Sequence, residues 1–250
     1  MAQASATTET VLLRNPHSVL AALSARPRDV LELRLPPQRP SGTWQTVTAQ
    51  ARAAGVPLRT DLRGQSPREQ REQRHGAASA VVRTLPGVPL DALWRAGREE
   101  SPRLWLALDC LQDPHNVGAI FRTAAFFGVR GIVLTRDRSA PMSGTVYDVA
   151  SGGVEAVPFS MVTNLAQALQ AAKEAGLWLL GSSERAERDV RRIPRDRPWL
   201  LIIGNEEHGL RRLTLDLCDE VCGISGRGAV RSLNASVAAG LLIAALSGEM

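Results

Sequence analysis

The sequence is short of the features that mark membrane-spanning and disulfide-linked proteins. Its uninterrupted apolar runs extend for only a handful of residues, whereas a membrane-spanning helix needs roughly 20. The first ten residues contain neither a basic cluster nor an apolar stretch, so they do not resemble a signal peptide. The three cysteines lack the paired spacing of a zinc ribbon: Cys110, Cys218 and Cys222. We therefore expect a cytoplasmic protein with reduced thiols and neither a disulfide framework nor a structural metal.

Common hydrolytic and nucleotide-binding patterns are also missing. The four histidines are scattered, without the spacing of metal ligands. No G-x-S-x-G turn presents a serine nucleophile, and no GK[ST] sequence forms a phosphate-binding loop. Pairing Cys110 with His115 as nucleophile and base rests on nothing beyond their proximity in the chain. These absences count against metal-dependent, serine and cysteine hydrolases.

The 250 residues suffice for one large domain or two small ones, and 44% apolar content is ordinary for a globular protein. The charge, by contrast, is unevenly distributed. Residues 1–83 contain 12 Arg and 6 Asp or Glu, so the excess positive charge lies in the first third of the chain. Lys173 is the only lysine. An Arg-rich genome could explain the scarcity of lysine, but the uneven distribution favours contact between the N-terminal part and a polyanion.

Residues 11–83 have the pattern of a small α/β module. A helix is predicted after Asn15-Pro16, and alternating apolar residues predict a strand that ends before Pro36-Pro37. A second helix over 46–54 and a short strand over 56–58 follow. The polar run at 66–76 is interpreted as a mobile surface segment or, alternatively, as an RNA contact. Residues 84–103 mix proline, glycine and charge, which is typical of a linker.

From residue 104 onward, short apolar runs alternate with helical patterns. The runs lack a polar face, as expected of parallel strands covered on both sides by helices, and they span 104–108, 131–134, 177–180 and 199–203. Helices are predicted over 118–127, 164–175 and 210–217. The sequence therefore predicts an open α/β sheet over 104–250, with ligands bound beyond the carboxyl ends of its strands.

Two segments that follow predicted strands contain candidate functional residues. In residues 113–129, Asn116 is expected to cap a helix that also contains Arg122; the plain alternative is a capped helix with one surface arginine. The segment GNEEHG at 204–209 contains Glu206 and Glu207, which would repel a phosphate and suit a neutral or cationic ligand. Its plain alternative is a solvated turn bounded by glycines.

The third candidate segment spans residues 226–246. A glycine-rich polar loop leads through Ser232 and Leu233 to Asn234, and a helix rich in alanine follows. Small residues allow close approach to a ligand, to the protein's own core or to a second subunit. The plain alternative is a buried terminal helix capped by Asn234 or Ser236.

In this order, the patterns N-x-G-A-x-x-R-T-A, G-N-E-x-x-G-L and S-L-N-x-S-V-A-x-G resemble the three motifs of the SpoU/TrmH family of RNA ribose 2′-O-methyltransferases, which belongs to the SPOUT superfamily. The resemblance covers about residues 104–247. Within residues 11–83, NPHSVLAAL and RHGAASAVV are similar to the substrate-binding extension of members that methylate a guanosine in large-subunit ribosomal RNA.

The resemblance implies an α/β fold with a deep C-terminal trefoil knot that binds S-adenosylmethionine. It also implies a homodimer whose active sites draw on both chains, with RNA as substrate. Carried over by position, the cofactor-binding residues are Gly204, Ile224 and Leu233, and the catalytic or substrate-orienting residues are Asn116, Arg122, Glu206, Ser232 and Asn234. No metal is implied.

Chemistry suggests a role for each of these residue types. A guanidinium releases its proton very reluctantly, so Arg122 is expected to stabilise the developing oxyanion and the neighbouring phosphate, while the general base stays unassigned. Asn116, Ser232 and Asn234 are expected to orient groups by hydrogen bonding. Ribosomal RNA is the favoured substrate. The alternatives are transfer RNA, a non-catalytic RNA-binding relative and, disfavoured by the basic N-terminal part, a small-molecule methyltransferase.

Overall fold

The chain forms two compact units, and one segment from the later part of the chain belongs to the N-terminal unit. In the computed structural model, residues Met142–Glu155 group with the N-terminal Met1–Pro86, and the remainder forms the second unit. The domain ranges 11–83 and 104–250, with a linker at 84–103, stay a prediction. The compact units do not follow these ranges, because the N-terminal unit also contains residues 142–155. The structure describes residues 9–36, 40–60, 78–95, 103–230 and 232–248. The polar run at 66–76 lies outside them.

The N-terminal unit is a small α/β module, as the sequence predicts. Its four described strands lie in the order β1-β4-β2-β3, with β2 and β3 parallel and the other pairs antiparallel. The strands are β1 Thr10–Leu13, β2 Val30–Arg34, β3 Leu58–Arg59 and β4 Ser79–Arg83. The helices are α1 Pro16–Ala25, α2 Thr43–Ala53, α5 Gly144–Ala150 and α6 Gly153–Ala156.

Polar contacts bind the segment Met142–Glu155 into this unit. Asn15 caps α1 by accepting from the backbone N–H of His17 at 2.9 Å. The backbone N–H groups of Arg14 and Asn15 donate to the Asp148 carboxylate at 2.9–3.0 Å. Arg26 forms a two-pronged contact with Glu155, with both distances 2.8 Å. The start of α1 is thus fixed by residues more than a hundred positions later in the chain.

The second unit contains the predicted parallel sheet. All neighbouring strands run parallel in the order β10-β8-β9-β5-β6-β7. The strands are β5 Leu104–Leu108, β6 Ile132–Thr135, β7 Phe159–Val162, β8 Trp178–Ser182, β9 Trp199–Ile203 and β10 Glu220–Cys222. The helices are α3 Leu90–Arg95, α4 Pro114–Phe126, α7 Leu165–Glu174, α8 Arg212–Leu217 and α9 Ala235–Ser247.

Burial explains which strands the sequence reveals. Every residue of the central strands β5 and β9 is buried, so both appear as continuous apolar runs. The sequence pattern did not predict β7 and β10, which are short strands at the two edges of the sheet. An edge strand has one neighbour and needs less apolar character, so its pattern is weaker.

The chain order reverses between β5 and β9. One half of the sheet extends from β5 through β6 to β7, and the other from β9 to β8 and β10. The carboxyl ends of β5 and β9 are adjacent, since the Asp109 N–H donates to the Ile203 carbonyl at 2.8 Å. Such a point in a parallel sheet is the usual place for a ligand.

The C-terminal knot stays a prediction. Among the described residues, no helix combines the length and apolar character needed to cross a membrane.

Candidate active site

The first candidate segment begins helix α4, but its cap differs from the prediction. Asp113 is the N-cap and accepts from the His115 N–H at 2.8 Å, with Pro114 at the first helical position. The prediction that Asn116 caps this helix was wrong. Asn116 lies within the first turn and is only 5% exposed, so its side-chain amide is available for contacts outside the helix.

Glu206, in the loop after β9, is the hydrogen-bond acceptor for the Asn116 amide. Its carboxylate accepts from Asn116 Nδ2 at 3.2 Å and from Asn205 Nδ2 at 3.2 Å. The backbone N–H groups of Asp113 and Gln112 point to the same carboxylate at 3.3 and 3.4 Å. A negative charge is favoured at this place because the N–H groups before a helix have no partner within it.

Asn234 joins the third segment to the other two. Its Oδ1 caps α9 by accepting from the N–H groups of Ser236 and Val237 at 2.9 and 3.3 Å. Its Nδ2 donates to Asn116 Oδ1 at 3.0 Å. We call Asn116, Glu206 and Asn234 the polar cluster. Hydrogen bonds run in one direction through it, from Asn234 to Asn116 to Glu206, which fixes the orientation of both amides.

The loop that carries Glu206 has its own internal support. Asn205 donates from Nδ2 to the Cys110 carbonyl at 2.9 Å and accepts from the Glu207 N–H at 3.0 Å. Asn205 and Gly209 pair through two backbone hydrogen bonds of 3.0 Å each. Gly204 packs so tightly that a Cβ there would lie 2.3 Å from the Gly209 carbonyl carbon. The close approach of this backbone to that of Gly209 therefore requires glycine at position 204.

A cavity of about 390 Å³ opens beside this loop. The three predicted cofactor-binding residues, Gly204, Ile224 and Leu233, all line it, as do Glu206 and Ser232. The charged residues of the lining are Glu184, Arg185, Glu206 and Glu207. Acidic groups predominate, so the cavity suits a neutral or cationic ligand better than a phosphate.

The site also contains residues that the sequence pattern did not predict. One wall of the cavity is the end of β8 and the loop after it, at 182–185. Asp109 is fully buried, accepts from Thr214 Oγ1 at 2.8 Å and forms an ion pair with Arg211 at 2.7 Å. The hydrogen bond to Asp109 raises the pKa of the Arg211 guanidinium, despite its partial desolvation. An aspartate directly after an apolar strand was the available signal.

Arg122 lies apart from the cavity lining. It is exposed on α4 and forms no hydrogen bond or ion pair within the described part of the chain. One turn later, Phe126 is 82% exposed. Helix α4 packs on α9, where a Cβ at Gly240 would lie 3.8 Å from Thr123 Cγ2. On the solvent side of α9, Val237 and Leu241 are 51% and 38% exposed. We call Arg122, Phe126, Val237 and Leu241 the α4–α9 face.

The chain matches a known protein family and several curated relatives. The SpoU rRNA Methylase family matches residues 103–244. The 23S rRNA (guanosine-2'-O-)-methyltransferase RlmB of Nitrosomonas europaea is 42% identical over 171 residues, which are 68% of this chain and 65% of that protein. The RlmB protein of Coxiella burnetii is 35% identical over 231 residues, covering 91% of each.

A solved structure shows the same fold. The SpoU methyltransferase AviRb of Streptomyces viridochromogenes superposes with a TM-score of 0.77 at 23% identity, covering 96% of this chain and 89% of that one. The motifs, the family match and relatives aligned over nine tenths of their length lead to one conclusion. The chain belongs to the SpoU rRNA methylase family.

Proposed function

We propose that this protein transfers a methyl group from S-adenosylmethionine to a ribose 2′-hydroxyl of large-subunit ribosomal RNA. The RlmB relatives, named for guanosine-2'-O methylation of 23S rRNA, support this substrate. The observation that carries the proposal is the polar cluster at the edge of the cavity, because it joins all three candidate segments at the switch point of the sheet.

The cavity fits the proposed methyl donor. S-adenosylmethionine supplies a methyl group bound to a positively charged sulfur. Gly204, Ile224 and Leu233 would hold it through their backbone groups, and the Glu206 carboxylate beside them suits a cation. The tight packing of Gly204 keeps this wall of the cavity in place.

The remaining candidates would act on the acceptor. A ribose hydroxyl is a poor nucleophile, so it must be aligned with the methyl carbon and stabilised as it loses its proton. Ser232 lines the cavity and, with Asn116 and Asn234, would orient the acceptor by hydrogen bonding. Arg122 would stabilise the developing oxyanion and the adjacent phosphate.

The position of Arg122 supports a homodimer. The α4–α9 face combines exposed Phe126, Val237 and Leu241 with this arginine. Exposed apolar side chains that share one face mark an association surface, and identical faces can pair about a two-fold axis. A second copy would cover the apolar side chains and bring its Arg122 to the cavity of the first. Each active site would then contain residues of two chains.

The N-terminal part would bind the RNA substrate. Residues 1–83 carry 12 Arg against 6 acidic residues, and phosphate contacts by arginine supply affinity that falls with salt. We place the protein in the cytoplasm, where RNA of this class is accessible. A Bacillus subtilis relative, YacO, is named as a putative tRNA/rRNA methyltransferase and is 39% identical over 182 residues, so transfer RNA is the second candidate.

Transfer of labelled methyl groups from S-adenosylmethionine to 23S rRNA and to tRNA, followed by mapping of 2′-O-methyl positions, tests the substrate. Arg122→Ala should lower the rate by at least about 100-fold with the fold intact, since it removes stabilisation of the transition state. Arg95→Ala, which alters an exposed arginine paired with Asp91 on α3, is the control. Full activity of Arg122→Ala would refute the role of Arg122, and labelling of tRNA alone would refute the rRNA substrate.

A further inference from the structure

Two segments beside the cavity are held together by their backbones. The Gly223 N–H donates to the Arg188 carbonyl and the Val190 N–H donates to the Gly223 carbonyl, both at 2.9 Å. Asp189 and Gly223 therefore form an isolated parallel β-bridge outside the strands of the sheet. Ile224, a cavity-lining residue, follows directly after this backbone pair.

A side chain continues the contact where the backbone pairing ends. The Asp189 carboxylate accepts from the Ser225 N–H at 3.2 Å. Ile224 thus lies between two anchored neighbours, Gly223 and Ser225. The next part of the loop is open: Gly226 and Gly228 have no atoms within 4 Å of a Cβ position. The hydrogen bond to Asp189 therefore holds Ser225 just before the loop turns into solvent.

The Asp189 carboxylate is itself firmly oriented. Arg191 donates to it from Nε at 2.7 Å, from Nη2 at 2.9 Å and from its backbone N–H at 2.9 Å. The Asp189 side chain is 12% exposed, whereas that of Arg191 is 75% exposed. The hydrogen bonds from Arg191, followed by those from Ser225, hold the pKa of Asp189 far below its usual range. The carboxylate is thus a charged acceptor with a fixed direction.

We propose that Asp189 is a positioning residue of the cofactor cavity: its carboxylate holds the Ser225 amide, so that Ile224 presents its backbone to the methyl donor. This inference rests on the proposed function, since it assumes that the cavity binds S-adenosylmethionine. None of the motifs that identify the family includes Asp189. Its effect is exerted through Ser225 and Ile224, without contact with the reacting atoms.

A purely local role makes a different prediction. If Asp189 only paired with the Arg191 side chain, removal of either partner would have the same effect. In a positioning role, Arg191→Ala keeps the carboxylate and its bond to Ser225, so it should weaken ligand binding less than Asp189→Asn does. Asn in place of Asp189 loses the charge and one of the two acceptor oxygens.

Calorimetry with S-adenosylhomocysteine on the full-length protein tests the proposal. Asp189→Asn should raise the Kd about fivefold, the size of the net contribution of one ordinary hydrogen bond, while Arg191→Ala should raise it about twofold. The KM for S-adenosylmethionine should rise in parallel, with kcat within about twofold, because the reacting groups are untouched. Asp196→Asn is the matched control, as Asp196 forms a similar fork with Arg197 at 2.8 and 3.1 Å away from the cavity lining.

The outcomes separate this inference from the proposed function. If the unaltered protein fails to bind S-adenosylhomocysteine and S-adenosylmethionine, the proposed function is wrong. If it binds them and Asp189→Asn binds equally well, or if Arg191→Ala loses as much affinity, the positioning role is overturned. Unfolding of Asp189→Asn under assay conditions, seen by circular dichroism, would show a general structural role and would also overturn it.

Discussion

The polar cluster and the α4–α9 face both include residues of helix α4, yet they differ in how they are completed. Asn116, Glu206 and Asn234 find their partners within the chain, at 3.0–3.2 Å. Arg122, fewer than two helical turns after Asn116, is exposed without a partner in the described residues. Folding alone therefore orients one part of the proposed active site, and association with a second copy would position the other.

Physical chemistry explains this division. Asn116 is buried, and a buried amide without hydrogen bonds would cost about 1–3 kcal/mol, so its partners must be present in the folded chain. Arg122 can stay hydrated at little cost until a partner or RNA desolvates it. If an acidic side chain within the chain held the Arg122 guanidinium before RNA binds, that side chain would compete with the substrate phosphate.

The largest effect should follow from breaking the α4–α9 face. Phe126→Asp places a charge at a side chain that is 82% exposed, so the isolated chain should fold normally. Burying that charge between two copies would cost several kcal/mol, and the dimer should dissociate. Because Arg122 would then lack its place in the partner's site, methyl transfer should fall at least about 100-fold. Sedimentation velocity and a methyl-transfer assay measure both effects.

Leu213→Asp is the matched control for this variant. Leu213 is 74% exposed on α8, outside the α4–α9 face. It should leave both the sedimentation coefficient and the activity unchanged. A Phe126→Asp protein that stays dimeric and active would show that this face is not the interface.

The next largest effect should follow from a substitution in the tightly packed loop that carries Glu206. Gly204→Ala would force a Cβ to within 2.3–2.5 Å of the backbone of Gly209 and Leu210. Backbone atoms move less readily than side chains, so the free energy of unfolding should fall by about 1–3 kcal/mol and cofactor affinity should fall with it. Thermal melting and calorimetry measure these changes. Gly228→Ala, which meets no atom within 4 Å, should change neither, and equal melting temperatures for the two variants would contradict the tight packing.

The smallest effect is the coupling within the polar cluster. A double-mutant cycle of Asn116→Ala and Asn234→Ala should show non-additive losses of about 1 kcal/mol in the free energy of unfolding, because the two side chains share a 3.0 Å hydrogen bond. Pairing Asn116→Ala with Asn164→Ala, which removes the cap of α7, should be additive. An additive first cycle would show that the cluster is not a connected unit.

The sequence predicted the central strands and the three functional segments better than the contacts between them. Strands β5 and β9 were predicted because burial on both faces leaves no polar residue in them. The short edge strands β7 and β10 were missed. The cap of α4 was misassigned to Asn116, although Asp113-Pro114 is the stronger start signal.

Long-range pairing is what the sequence pattern could not supply. The hydrogen bond between Asn116 and Glu206 joins residues 90 positions apart, and that between Asn116 and Asn234 joins residues 118 apart. Periodicity describes only local structure, so it places each residue on its element without saying which elements meet. The roles of Ser232 and of the other site residues stay predictions until variants are assayed.

Mixing two inactive variants tests most directly whether the site is shared between two chains. Arg122→Ala and Glu206→Ala would be unfolded and refolded together in equal amounts, and methyl transfer to rRNA would be measured. If Arg122 acts on the partner's cavity, half of the dimers are mixed and each contains one intact site, so activity should return to about a quarter of the unaltered level. If mixing restores no activity although mixed dimers form, Arg122 acts within its own chain and the shared site is refuted.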